Sequence, residues 1–315
     1  MKALRMTKEA SGSLPPTLSI KEIPKPSPGP GELLIKVRAS SVQPADILNS
    51  KGGFGMTTFP RTLGKDYAGT VESGSPEWRG RKVFGTSGNA FSFTRDGAQA
   101  EYATVPEGAV AEMPSNLSFA QAASLGTPWT TANLALLRAQ AIPEDVVMVI
   151  GATGSVGSAA MEIAKMKGCK TISVGRHGAD IDSTADPELK RAMLMTNGKG
   201  PDIVFDTVGD FKLTKAAFDV LGFNGRLVTI TAPRQGGTEL GVDILSLYRR
   251  QISIVGCNTA WQSQEAMGEM LRELAPAFQS GQLTAPTEKS VSLIALDQAP
   301  AAYSGMIKKA VIVFE

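Results

Sequence analysis

The chain has 315 residues, 42% of them apolar, with Lys+Arg 32 against Asp+Glu 30 for a net charge of +2, one histidine and two cysteines. At roughly 150 residues per domain this length suggests two domains with ample surface to bury, and the composition excludes a collagenous, disordered or repetitive chain. The balanced charge lacks the concentrated basic field that nucleic acid or an anionic membrane requires, and Cys169, His177 and Cys257 are too few for a structural zinc and argue against a catalytic one.

At the N-terminus Lys2, Arg5 and Lys8 interrupt any apolar stretch of the kind a secretory signal needs, and no run approaches the roughly 20 apolar residues of a membrane span. The two distant cysteines read as free buried thiols in a reducing, cytoplasmic compartment. Residues 1 to about 125 alternate short apolar runs, at 33–37, 68–71 and 102–105, with Gly and Pro punctuation. Period-2 runs between turn residues predict antiparallel strands in a sandwich or barrel. From about residue 122 the texture changes to strand 146–150, helix 156–167, strand 171–174, strand 203–207, helix 213–221 and strand 227–230. Continuous apolar strands between helices predict a parallel sheet covered on both faces. Residues 310–314 form a last strand that returns to the first domain.

The sharpest local signal is Gly151-Ala152-Thr153-Gly154-Ser155-Val156-Gly157, which follows the strand at 146–150 and opens a helix. Gly151 permits the tight turn, Gly154 lets backbone N–H groups approach a pyrophosphate, and Gly157 allows close helix–strand packing. Ala152 replaces the first glycine of G-x-G-x-x-G, but the flanking strand and helix supply the context the motif needs, so dinucleotide binding is predicted, with Thr153, Ser155 and Val156 part of the site. The next strand ends at Gly175-Arg176, where an NAD site usually has an acidic residue for the ribose 2′-hydroxyl. A cation there pairs with a 2′-phosphate, which predicts NADPH. A solvated loop charge at Arg176, and a part for His177 or Asp180 in holding the cofactor, stay open. His177 is the sole histidine and no G-x-S-x-G elbow lies near it, which argues against hydrolase chemistry. Between Gly175 and the strand-like stretch 179–183 there is too little chain for a crossover helix, which takes about a dozen residues. The usual helix after the second strand is therefore predicted to be missing, leaving the adenosine side more open.

Several segments, taken in order, carry a resemblance over nearly the whole chain. They are 28–37, Ser41-Val42-Gln43-Pro44-Ala45-Asp46, Gly64-Lys65-Asp66-Tyr67-Ala68-Gly69, 96–102, 121–125, Thr130-Thr131-Ala132, the phosphate turn and 200–209. Together they resemble the zinc-free quinone oxidoreductase branch of the medium-chain dehydrogenase/reductase superfamily. The resemblance implies an α/β protein in which a GroES-like β-rich domain (1–123 plus 287–315) joins a Rossmann-type doubly wound parallel sheet domain (124–286). It further implies NADPH as cofactor, hydride transfer to a quinone or to the β-carbon of an enone, and a homodimer for which 252–255 is a candidate edge strand. The partner is a small-molecule acceptor, with no nucleic acid and no membrane.

In zinc-dependent relatives three positions hold a catalytic metal, and by alignment these carry Gln43, Lys65 and Thr127, none a good zinc ligand. Gln43 as an amide donor and Lys65 as a cation are candidates to polarise the acceptor carbonyl; the alternative for Lys65 is an ion pair with Asp46 or Asp66. Tyr67 either donates a proton or packs in the core. Thr131 matches a position beside the nicotinamide, where its hydroxyl orients the ring. Leu48 stands where relatives often carry tyrosine, which favours an apolar acceptor. Gln43, Leu48, Lys65, Thr127 and Trp261 line the expected substrate pocket, with Trp261 either stacking on a flat quinone or making an interdomain or dimer contact. Val208, Thr231 and Asn258 are expected along the cofactor. The competing function is a low-turnover NADPH binder or sensor, or a structural use of the same fold.

Overall fold

The strand Glu32–Ser41 pairs antiparallel with Tyr67–Ser73, with Tyr102–Pro106 and, at its far end, with the C-terminal strand Ala310–Val313. Register shifts after Leu34 and after Val37 bend it, as bulges do, and let one strand serve several partners. Leu33, Ile35 and Val37 pack with Tyr67, Val71, Val83 and Phe91 in a fully enclosed cluster. Each such side chain contributes about 1.5–3 kcal/mol through burial. A second sheet sets Lys2–Thr7 between Thr17–Glu22 and Arg61–Thr62.

The computed structural model describes residues 1–8, 15–233 and 237–315. The chain divides into one unit of Met1–Thr130 with Thr259–Glu315 and another of Thr131–Asn258. The C-terminal strand lies in the first unit, paired with Glu32–Ser41. The boundaries differ from the expected ones. The first falls inside the helix Gly126–Arg138 rather than after residue 123. The second falls after Asn258 rather than after residue 286, because the helix Gln264–Ser280 belongs to the first unit. Arg272 of that helix donates to Gly108 O and Val110 O, both at 2.8 Å, and Phe278 meets Trp129 edge to face at 4.6 Å. Its apolar face therefore packs on the β-rich unit.

The second unit is a six-stranded, wholly parallel sheet in the spatial order Ile181–Asp182, Lys170–Gly175, Val146–Ile150, Ile203–Asp206, Arg226–Thr229, Ser253–Gly256. The first strand in the chain is thus central, the doubly wound order of dinucleotide-binding sheets. Met148, Ile150, Ile172, Val174, Val204, Phe218 and Leu227 form its core. The connection 176–180 contains no helix, as its length predicts. No described helix is long and apolar enough to cross a membrane.

Candidate active site

Strand Val146–Ile150 is flanked by Lys170–Gly175 on one side and Ile203–Asp206 on the other, so its C-terminal end is the switch point where open α/β sheets bind ligands. Gly151 leaves the strand at φ 80°, a left-handed conformation open to glycine at no Cβ cost. Its N–H and that of Ala152 donate to Val174 O at 2.9 and 3.2 Å, tying the turn to the end of the neighbouring strand. Gly154 caps the helix Ser155–Met166, whose first internal bond runs from Ser158 N–H to Gly154 O at 2.8 Å. The N–H groups of Ser155, Val156 and Gly157 consequently have no acceptor within the helix and, with the helix dipole, favour an anion. A Cβ on Gly157 would stand 2.2 Å from Gly151 O, so the helix packs on the turn only because this residue has no side chain. Thr153, Gly154 and Ser155 are exposed on the open side, and the cradle fits a dinucleotide pyrophosphate.

Across the switch point, Asp206 is fully buried. Its Oδ1 accepts from Val208 N–H and Gly209 N–H at 2.8 and 3.0 Å, and its Oδ2 from Thr214 Oγ1 at 2.6 Å. Thr207 Oγ1 donates to Ile150 O at 2.8 Å. These bonds fix the turn that presents Val208, which is half exposed. Asp206 lies within the segment 200–209, and the signal for its role is an acid ending an apolar strand three residues before Gly209.

At the C-terminal end of the strand Lys170–Gly175, Val174 pairs with Ile181 and Gly175 with Asp182, and Arg176 and His177 project from the short connection as exposed side chains. Asp180 Oδ2 accepts from Ser173 N–H at 2.8 Å and Ser173 Oγ at 2.7 Å, while Asp180 N–H donates to Ser173 Oγ at 2.9 Å. The bonds from Ser173 hold the Asp180 carboxyl below the usual range. That oxygen is committed to the strand edge.

In the first unit, the structure gathers Gln43, Lys65 and Thr127 around two buried carboxylates. Asp66 Oδ1 accepts from Thr86 Oγ1, Thr127 N–H and Thr127 Oγ1 at 2.6, 2.8 and 2.7 Å, and Oδ2 accepts from Ser41 Oγ at 3.2 Å. Ser41 Oγ in turn accepts from Gln43 Nε2 at 2.9 Å. Gln43 precedes the helix Pro44–Ser50, and its backbone N–H donates to Asp46 Oδ2 at 2.9 Å. Asp46 Oδ1 lies 3.7 Å from Lys65 Nζ, so the ion-pair reading of Lys65 holds with Asp46 as partner. The ammonium also sits over the Phe93 ring at 4.0 Å and near Phe54 at 5.2 Å, contacts that favour a cation. Burial pushes the Asp66 carboxyl up to about 6, with the Asp46 charge adding to it. Burial likewise raises the Asp46 carboxyl and lowers the Lys65 ammonium, each opposed by the attraction between them. The sequence offers Asp66 only as an ion-pair partner for Lys65; its place at the centre of a donor network was not legible because those donors are scattered from Ser41 to Thr127. Tyr67 is fully buried against Phe91 at 5.7 Å; its packing role holds, and burial raises its hydroxyl far above the usual range.

The other expected residues lie outside this network. Thr131 is buried in the second unit's part of the helix Gly126–Arg138. Leu48, 48% exposed, lies on the helix that carries Asp46, and Trp261, 76% exposed, ends the turn Thr259–Trp261. Thr231 accepts at its carbonyl from Thr229 Oγ1 at 2.9 Å, and Asn258 is exposed after the strand Ser253–Gly256.

Residues 29–115 match the alcohol dehydrogenase GroES-like domain, and residues 155–275 match the zinc-binding dehydrogenase family. A zinc-type alcohol dehydrogenase-like protein of Schizosaccharomyces pombe is 44% identical over 98% of this chain and 94% of its own. The quinone oxidoreductase of Homo sapiens is 28% identical over 82% of this chain and 80% of its own. Among solved structures, an alcohol dehydrogenase superfamily protein from Novosphingobium aromaticivorans superposes with a TM-score of 0.85 at 27% identity, covering 100% of both chains. The names raise zinc, and the donor set answers it. Among the described residues no group of three or more His, Cys, Asp or Glu could hold a metal ion. An amide, an ammonium and a hydroxyl stand at the three aligned positions, and an ammonium repels a cation. These residues do not fit zinc.

Proposed function

Because the chain belongs to the medium-chain dehydrogenase/reductase superfamily, with its GroES-like and Rossmann-type domains, we propose that it is an NADPH-dependent reductase of quinones or α,β-unsaturated carbonyls that works without zinc. The observation that carries the reading is the phosphate turn bonded to Val174, with Gly175-Arg176 immediately beyond, where an NAD site would have a carboxylate. Gly151, Thr153, Gly154, Ser155, Val156 and Gly157 would hold the pyrophosphate, Arg176 the 2′-phosphate, and Thr131, Val208, Thr231 and Asn258 the nicotinamide half. When bound, NADPH supplies the hydride.

The chain's own residues supply position and charge. The Lys65 ammonium makes no hydrogen bond among the described residues, and Gln43 commits one amide hydrogen to Ser41, so both retain donors for an acceptor oxygen that gains negative charge. Thr127 fixes the Asp66 end of this network. Leu48 and Trp261 offer apolar surface to a flat acceptor, and water supplies the proton. The outermost strand Ser253–Gly256, with Ile254 half exposed, suits pairing with a second copy. The free buried thiols Cys169 and Cys257 suit the reducing cytoplasm.

The test mixes the protein with NADPH and either a small quinone or a 2-enal and follows the nicotinamide absorbance. Oxidation with one acceptor class supports the reading and names the class. Tight NADPH binding with no turnover of either would instead support the binder or structural alternative.

A further inference from the structure

We propose that Asp180 is a positioning residue for coenzyme discrimination, closing the turn 176–178 back onto its strand so that Arg176 is held for the 2′-phosphate. This rests on the NADPH reading and adds to it the fixture that makes a helix-free connection selective. In the usual arrangement a crossover helix packed on the sheet anchors this segment. Here 176–180 passes directly into the two-residue strand Ile181–Asp182, which begins opposite Val174. Ser173, one residue earlier, lies beyond the reach of that short strand. Asp180 takes the vacancy, accepting from Ser173 N–H and Ser173 Oγ and returning its own N–H to the same hydroxyl. Gly178, at φ 67°, provides the reversal that brings Asp180 back.

The position is continuous with the pyrophosphate cradle. Val174 O receives the N–H groups of Gly151 and Ala152, so Arg176 starts two residues from an atom bonded to the phosphate turn. A loop this close to the cradle needs only a fixed backbone to present its cation, and the Ser173–Asp180 pair fixes it from the strand side.

The charge of Asp180 gives the inference a decisive sign. A carboxylate near a phosphate repels it, so deleting the charge alone should tighten NADPH binding. Weaker binding after deletion therefore means lost position. The experiment measures Kd for NADPH and for NADH, together with KM, kcat and Tm, in the parent protein and in Asp180→Ala and Asp180→Asn. Asp180→Ala should weaken NADPH roughly tenfold, NADH by less than about twofold, and leave kcat at saturation unchanged. Asp180→Asn keeps a carbonyl oxygen for Ser173, so it should bind NADPH as tightly as the parent or more tightly. Tighter NADPH binding in both variants, equal losses for both coenzymes, or no change in either would overturn the positioning role. A parent protein with no preference for NADPH would instead bring down the coenzyme reading on which the inference rests, before any variant is compared.

Discussion

Thr127 donates twice to one oxygen, its backbone N–H and its hydroxyl reaching Asp66 Oδ1 at 2.8 and 2.7 Å. With Thr86 Oγ1 on the same oxygen and Ser41 Oγ on the other, a fully buried carboxylate has, among the described residues, four donors and no cation within hydrogen-bond distance. Where zinc-dependent relatives are expected to gather thiolate and imidazole around a metal, this chain gathers hydroxyls around a carboxylate and keeps its cation on Asp46.

Stability should carry the titration of Asp66. Its carboxyl is raised from 3.8 to about 6, so the folded state binds the proton more tightly than the unfolded chain. The cost of ionising it is absent below about pH 4, develops between about 4 and 6, and is full above 6, amounting to about 3 kcal/mol. Asp66→Asn keeps an acceptor for Thr127 and Thr86 and removes the titration. Urea melts from pH 4 to 7 should show the parent losing stability over that window relative to the variant; parallel curves would refute the assignment.

Lys65 and Asp46 should be costly to separate and cheaper to remove together. Lys65→Met leaves a buried carboxylate without its cation, an expected loss of about 3–5 kcal/mol. Adding Asp46→Asn should return most of that loss, because the amide still accepts from Gln43 N–H. If Lys65 polarises the acceptor, the double variant regains Tm but kcat stays down by about 10²-fold. Recovery of both would reduce Lys65 to an ion pair.

Arg176→Ala should raise Kd for NADPH by about 10- to 100-fold, as expected for loss of a charge-assisted phosphate contact, and barely move Kd for NADH. Isothermal titration with the two coenzymes reads this directly. Equal effects would remove Arg176 from the 2′-phosphate.

The parallel sheet and its missing crossover helix were legible because both follow from local pattern: apolar runs such as Val146–Ile150 mark the strands, and the short spacing after Gly175 leaves no room for a helix. The placement of Gln264–Ser280 was not legible, since an amphipathic face shows that a partner exists but not which sheet supplies it. The site divided the same way. Gly151 and Gly157 stand in a contiguous motif whose backbone demands are readable one residue at a time. Asp66 draws its donors from Ser41, Thr86 and Thr127, which only the tertiary fold brings together, and the choice of Asp46 over Asp66 as partner for Lys65 turns on side-chain direction.

Gly157→Ala tests whether the phosphate turn depends on backbone contact. The added Cβ would meet Gly151 O at 2.2 Å, Gly151 C at 2.8 Å and Ala152 Cα at 2.9 Å. All three atoms belong to the turn's backbone, so no rotamer change relieves the clash, and the helix Ser155–Met166 must move away from the strand. Overpacking of this kind costs about 1–3 kcal/mol. The same shift carries the free N–H groups of Ser155 and Val156 out of line with Gly151, so coenzyme affinity should fall for NADPH and NADH alike. That common loss distinguishes the pyrophosphate cradle from Arg176, whose removal should separate the two coenzymes. Thermal melts with coenzyme titrations read both effects, and an unchanged Kd in a well-folded variant would mean the pyrophosphate binds elsewhere.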